Sequence, residues 1–477
     1  MLKNYFKVAF RSLSRKKVLA LINVIGLSIG LACFSLFLLF AVNEFSFDRF
    51  NANAHKIYRV YEWHEGFPGR EPGGEAPGYT PLGPAMKRDL PDVENFVRVQ
   101  TGWEEKFVRV KNTVLRSKLS FADPQIFTIF SFKLLAGNTT ALNNPRNIVL
   151  TKEKALQLFG KTNVIGQRVE IKTEDKFEPF TVGAVTEDIP NNSSIQFSIL
   201  GSYDYLLTTD MAKASVSNWH MTIGSETYVT LRDRSNLMKE PRPLTDFRKK
   251  YYPDEEAELR KEGLWKGKGS FPISFRLQPL TEVHTNPKVG GMAATIDPKN
   301  IWVLISIAAG VLLIACINFT TLAIGRSAGR AKEVGVRKVM GSARIHLICQ
   351  FLTESLMLSI FSAILAFALA KIFFPYFNQL AGTKLNFSAS QYPELGWLLI
   401  SLTLLTGVLA GTYPALILSG FKPVEVLKSK IRLGGSNLFT RSLVTVQFVL
   451  SIGLIVSTVI ILQQLKFMRS KNLGFKK

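Results

Sequence analysis

The chain has 477 residues, 47% of them hydrophobic, and a formal net charge of +23. With a mean hydropathy of +0.14 it is oilier than most soluble proteins, which argues against a wholly aqueous chain. The charge invites a nucleic-acid partner, but residues 43–300 are nearly balanced, with 35 Lys/Arg and 32 Asp/Glu. The rest carries 24 Lys/Arg and four acids, Glu333, Glu354, Glu394 and Glu425. An excess confined to that part sets nucleic acid aside.

In chain order, residues 1–17 are a basic terminus with Lys3, Lys7, Arg11, Arg15, Lys16 and Lys17. An uncharged run, 18–42, follows, about the length a helix needs to cross a ~30 Å hydrocarbon core. It is longer than a cleaved leader's apolar region, and "VNEFSF" has no small-residue cleavage site. Residues 43–300 mix alternating stretches such as "FVRVKNTVLRSKLSF" and "QRVEIKTEDKFEPFTVGAV" with helical ones such as "DPQIFTIFSF" and "TKEKALQLFG", an α+β pattern. Arg232 to Gly269, rich in Lys, Glu, Pro and Gly, reads as a mobile insertion or a subdomain boundary with a solvated charged face.

Four more apolar runs follow at 301–325, 351–374, 395–418 and 442–465, the second carrying Glu354 and Lys371 near its ends. The fold class is therefore an integral membrane α-helical protein with a large α+β extracytoplasmic domain between the first and second spans. Orientation follows from the positive-inside rule. Residues 1–17 and 326–344 carry six cations each and 422–441 carry five, whereas the loop 375–394 has only Lys384. The three basic segments are placed in the cytoplasm and 43–300 outside. The tail 466–477, with Lys466, Arg469, Lys471, Lys476 and Lys477, runs against the rule, so the fifth span's orientation rests on counting spans.

Chemistry-bearing patterns are sparse. Ala155 to Thr162, "ALQLFGKT", resembles a phosphate loop with Ala155 in place of the first glycine; a helix ending at Gly160 is the ordinary reading. His55, His64, His220, His284 and His346 are scattered, and Cys33, Cys316 and Cys349 offer no CxxC pair or disulfide framework. No catalytic residue, cofactor or metal is expected. On a helix through the segment 326–350, Val336, Val339, Met340, Ala343 and Leu347 share one face and Arg330, Arg337 and Arg344 another. Such a helix either lies on anionic lipid or docks into a groove of a cytoplasmic partner.

"AKEVGVRKVMGSARIHLICQFLTES" resembles the signature loop of the FtsX/MacB-type permeases of ABC transporters. "NEFSFDRFNANAHKIYRV", "DPQIFTIFSFKLLAGN", "NIVLTKEKALQLFG", "VIGQRVEI", "VGAVTEDIPNNSSIQF" and "LTEVHTNP" resemble their periplasmic domain, of the Bacteroidetes type. "LIACINFTTLAIGRSAGRAKEVGVRK" and "AGTYPALILSGFKPVEVLK" resemble their membrane part. The resemblance implies a MacB-like periplasmic domain at 43–300 and an FtsX-like domain at 301–418. In this reading 326–350 is the cytoplasmic coupling segment, 419–441 a cytoplasmic linker and 442–465 the start of a second repeat. It further implies an inner-membrane permease without ATPase motifs, driven by a cytoplasmic ABC ATPase dimer and acting by mechanotransmission. Arg330, Lys332, Glu333, Gly335, Arg337, Lys338, Gly341 and Glu354 would serve ATPase coupling. For Glu354 the plainer alternative is an acid that accepts from Arg337 or Arg344, or caps the first turn of the third span.

Efflux of an antimicrobial, peptide or lipid is the leading expectation. Lipoprotein extraction and signalling to cell-wall hydrolases are alternatives, and an ATPase-independent sensor ranks last. A periplasmic adaptor and an outer-membrane channel are further implied partners beside membrane lipids. "FRSLSRKKVLALINVIGLSIG" and "TRSLVTVQFVLSIGLIVSTVI" both place Arg-Ser-Leu ahead of an apolar run. A second permease unit is therefore expected, as an intramolecular repeat or a homodimer, and the chain reads as truncated after its second repeat begins.

Overall fold

The computed structural model describes residues 11, 17–66, 71–76, 78–102, 105–173, 176–266, 271–325, 334–383, 385, 393–420 and 438–470. Most of the basic terminus, of the linker 419–441 and of the tail 466–477 lies outside them. Two compact units result, Asn43–Pro298 and Met1–Val42 with Lys299–Lys477. Among the described residues, five long helices hold stretches long and apolar enough to cross a membrane. They are Lys17–Phe45, Pro298–Gly325, Arg344–Ala381, Pro393–Gly420 and Leu438–Ser470. The third begins at Arg344, ahead of the apolar run at 351, so Arg344, His346 and Gln350 belong to it. Its 38 residues make it about 57 Å long at 1.5 Å per residue, well beyond the hydrocarbon thickness.

Among the described residues, Asn43–Pro298 holds thirteen strands. They are β1 (Ile57–His64), β2 (Gly73–Glu75), β3 (Val93–Gln100), β4 (Glu105–Val110), β5 (Thr113–Ala122), β6 (Leu134–Gly137), β7 (Asn147–Thr151), β8 (Arg168–Lys172), β9 (Phe177–Thr186), β10 (Ile199–Ser202), β11 (Glu226–Leu231), β12 (Ile273–Pro279) and β13 (Val289–Gly290). The sheet runs β10-β7-β9-β8-β4-β5-β3-β11-β1-β2-β13, with β12 on β1, β6 on β9, and β10 also parallel to β5. Alternation explains the hairpins. In β4–β5, Val108, Val110, Leu119 and Phe121 are buried, and the turn places Lys111 at φ 51°. In β8–β9, Val169 lies opposite Phe180 and both are buried.

"TKEKALQLFG" forms the helix Lys152–Phe159, whose N-cap Thr151 side chain accepts from the Lys154 N–H and which ends on Gly160 at φ 70°. Ala155 is a buried helix residue, so this stretch is no phosphate loop. Arg232 to Gly269 also departs from its expectation as a solvated insertion. It contains the helices Arg242–Tyr251 and Glu255–Lys261, with Leu244, Phe247, Arg248 and Leu259 buried. Arg248 sits between Glu62 and Glu255 and over the Phe275 ring. A buried, doubly paired arginine explains why so charged a stretch folds inward.

Where the chain comes into this unit, Asp48 is buried in a left-handed conformation, φ 59°, that Asp and Asn tolerate best. Its Oδ1 accepts from the Ser194 N–H at 2.9 Å, while Oδ2 finds no donor. Burial pushes the Asp48 carboxyl up to about 6, against the opposing effects of the Ser194 and Ser193 hydrogen bonds and of His284. The folded chain therefore holds this proton more tightly than the unfolded chain. The contribution is complete below the ordinary carboxylate value and is lost as pH rises through about 6. Asp48→Asn should accordingly gain on the wild type by about 2–3 kcal/mol between about pH 4 and pH 7. Thermal unfolding of the detergent-solubilised chain reads this directly, and a difference that stays flat across that window would contradict it.

Candidate functional site

Residues 334–339 are helical and stop in a motif set by one glycine. The Ser342 N–H donates to the Arg337 carbonyl at 3.0 Å and the Gly341 N–H to that of Lys338 at 3.1 Å, with Gly341 at φ 88°. This is the double closure of a helix C-terminus in which the glycine supplies the left-handed step. The next helix starts at Arg344, so no single amphipathic face runs from Val336 to Leu347 as expected. Instead the apolar residues divide. Val334, Leu347, Phe351 and Ala415 pack together, whereas Val336, Val339 and Met340 are 48%, 65% and 82% exposed.

The cations divide as well. Arg337 donates from Nη1 to Gln350 Oε1 at 2.5 Å, and Arg344 from Nε to Ser419 Oγ at 3.3 Å. Gly335 is buried, Lys338 half-buried and Gly341 exposed; Arg330, Lys332 and Glu333 lie outside the described residues. Glu354 is buried, 8% exposed, and stands ten residues into the helix from Arg344, about 15 Å along it. It is therefore not a first-turn cap.

Glu354 borders a close contact between the third and fourth long helices. Gly407 and Gly411, one turn apart on the fourth long helix, face Ser355, Leu356 and Ser359 of the third. A β-carbon on Gly411 would come within 2.5 Å of Ser355 Cβ. Ser359 Oγ donates across this seam to the Thr403 carbonyl at 2.7 Å. Pro414 lies within the fourth helix and has no N–H to give the Ala410 carbonyl; Thr320 Oγ1 of the second helix, which is 2.9 Å from its own helix's Cys316 carbonyl, shares its proton with the Ala410 carbonyl at 3.3 Å. "GVLAG" at 407–411 is a small-xxx-small pattern in an apolar run, the one signal that could have pointed to this seam.

The arrangement is a seam of close helix packing closed by hydrogen bonds to backbone carbonyls. Among the described residues no group of three or more His, Cys, Asp or Glu could hold a metal ion. Beside the third and fourth helices lies an apolar groove of about 500 Å³, bordered by Leu31, Ile364, Phe367, Leu399 and Thr403.

The comparisons with known proteins fit this two-part architecture. A family described as MacB-like periplasmic core domain matches residues 20–238, and one described as FtsX-like permease C-terminal matches residues 305–423. The chain is 31% identical over 125 residues to the macrolide export ATP-binding/permease protein MacB of Bdellovibrio bacteriovorus. That alignment covers 26% of this chain and 19% of the relative, so the chain spans about a fifth of that protein. Two solved structures are similar. A domain described as from a permease protein of Porphyromonas gingivalis has 22% identity and a TM-score of 0.40, covering 53% of this chain and 98% of that one. The periplasmic region of MacB from Actinobacillus actinomycetemcomitans has 14% identity and a TM-score of 0.31, covering 44% and 94%.

Because the seam leaves no space at Gly411, Gly411→Ala should destabilise the solubilised chain by about 1–3 kcal/mol. Gly396→Ala, with nothing within 4 Å of the added carbon, is the control. Equal melting temperatures for the two variants would show that the third and fourth helices do not depend on this contact.

Proposed function

The chain belongs to the FtsX/MacB-type permeases of ABC transporters, and from that premise we propose that a separate cytoplasmic ATPase drives it through the turn at 334–341. The observation that carries this reading is the exposed Val336–Val339–Met340 patch beside Arg337 and Lys338. A glycine-closed helix end presents these apolar side chains. Exposed apolar residues flanked by cations suit a protein groove with an acidic rim.

Behind the patch, Val334 packs on Leu347, Phe351 and Ala415, so a load on the turn would fall on the third and fourth helices together. Arg330, Lys332 and Glu333 belong to the same proposed docking segment, with Gly335 and Gly341 shaping it and Glu354 behind it. The extracytoplasmic domain would move in response, and the transported material would be an antimicrobial, a peptide or a lipid. The Bdellovibrio relative is by name a macrolide export protein, which favours efflux over lipoprotein extraction or signalling. In this reading the domain at 43–298 faces the periplasm from an inner-membrane protein. A second permease unit would complete the pair of docking turns that an ATPase dimer requires.

Two measurements test the proposal. Met340→Glu and Arg337→Glu should each reduce stimulation of the ATPase that purifies with the tagged chain, by about tenfold or more, with the melting temperature within about 2 °C of the wild type. Wild-type association and stimulation in both variants would assign the turn to lipid binding instead. For topology, Thr139→Cys and Met340→Cys are placed in a chain whose three native cysteines are replaced by serine. An impermeant thiol reagent should label the first in spheroplasts and leave the second unlabelled, and equal labelling would overturn the orientation.

A further inference from the structure

His284 and Glu44 are a buried pair 240 positions apart in the chain. Glu44 lies near the end of the first long helix, as the chain comes into the α+β unit. His284 lies on the segment that leads out of it toward the second long helix. The ring sits between two acceptors: Nε2 is 2.6 Å from Glu44 Oε2 and Nδ1 is 2.8 Å from the Ala294 carbonyl oxygen. Phe47 stacks on its face at 3.5 Å between ring centroids, and the Ile296 N–H donates to the His284 carbonyl at 2.9 Å.

Counting protons on this geometry leaves few choices. A carbonyl oxygen only accepts, so Nδ1 must carry a hydrogen. The short contact at Nε2 then needs a second proton, held either by the ring as imidazolium or by the Glu44 carboxyl. Without it, a carboxylate lone pair faces a ring-nitrogen lone pair in a buried site, and the contact turns repulsive.

We propose that Glu44 and His284 form a proton-held clasp, in which one shared proton ties the incoming and outgoing segments of the unit together and its loss releases them. The proposal is independent of what the chain transports and of how a partner ATPase engages it.

Several titratable and polar groups surround the pair among the described residues. Asn43 Nδ2 donates to the other oxygen of Glu44 at 3.2 Å. Asp48 is a further buried carboxyl, and His284 acts on it electrostatically. Beyond Asp48 lies Tyr228, whose hydroxyl donates to Glu226 at 2.7 Å, and Glu226 is in turn paired with Arg59 at 2.9 Å. Arg49, on the incoming segment, is exposed and donates to the Phe45 carbonyl; Glu282, two residues before His284, is also exposed. Asp48 is thus the competing titrating group that the experiment must separate from the clasp.

Hydrogen exchange read by mass spectrometry on the full chain in lipid nanodiscs tests the idea, at about pH 6 and about pH 9, with rates corrected for base catalysis. In the wild type, protection of peptides spanning 43–48 and 284–297 should fall about tenfold or more at the higher pH, while β7 and β9 stay protected. Glu44→Gln should keep its protection at both values, because its amide donates to Nε2 and accepts from Asn43 without any shared proton. Asp48→Asn should keep the wild-type response. The clasp is refuted by wild-type protection that does not change with pH, by a wild-type-like loss in Glu44→Gln, or by an Asp48→Asn chain that no longer responds. Should Glu44→Gln fail to fold, the wild-type and Asp48→Asn measurements decide by themselves.

Discussion

In a hydrocarbon environment no water is available to take up a spare carbonyl, and apolar side chains gain little by leaving lipid for protein. Close backbone approach and hydrogen bonding must therefore hold the membrane unit together, and both meet on the fourth long helix. Gly407 and Gly411 let Ser355 and Ser359 come against its backbone, and Thr320 answers the carbonyl that Pro414 strands. One proline and two glycines, each a poor helix former in water, thus bind the second and third helices to the fourth. Ala415 lies one residue past that proline and carries Val334, so the exposed turn is seated on the same construction.

The α+β unit is assembled on the opposite principle, around charge taken out of water. The Arg98 guanidinium meets Asp123 through two contacts of 2.7 and 2.9 Å and lies over the Tyr203 ring at 4.1 Å. Arg59 is fully buried and spans Glu226 and Gln278. Desolvating such groups offsets most of what their pairing contributes, whereas losing one partner is costly. These pairs therefore restrict which strand arrangements are tolerated more than they add to stability, and they do so on the three neighbouring strands β3, β11 and β1.

Legibility from sequence followed the range of the interaction. The membrane runs could be read because bilayer thickness sets their length, and β4, β5, β8 and β9 because one buried face imposes a period of two. The helix face from Val336 to Leu347 was misread: a face exists only while the helix continues, and Gly341 ends it, leaving Val334 to pack inward. Arg248 looked like part of a solvated charged stretch because its partner Glu62 lies 186 residues away. "GVLAG" was in plain view, but a small-residue pattern does not say which neighbour it meets. Glu44 and His284 are joined by no local pattern, and only the folded chain brings them together.

The place of β1 sets the order of events when the chain is made. This strand comes early in the unit, yet apart from the short β2 its partners, β11 and β12, come late, and the Arg59 hydrogen bond to Gln278 spans 219 residues. Contacts of such high sequence separation pay their loop-closure entropy before any return. The unit cannot complete its sheet until nearly all of it has left the ribosome, and until then β1 has only the short β2 against its last three residues. That makes the interval between the first and second long helices the stage at which the nascent chain is most exposed to mispairing and most in need of a holding partner.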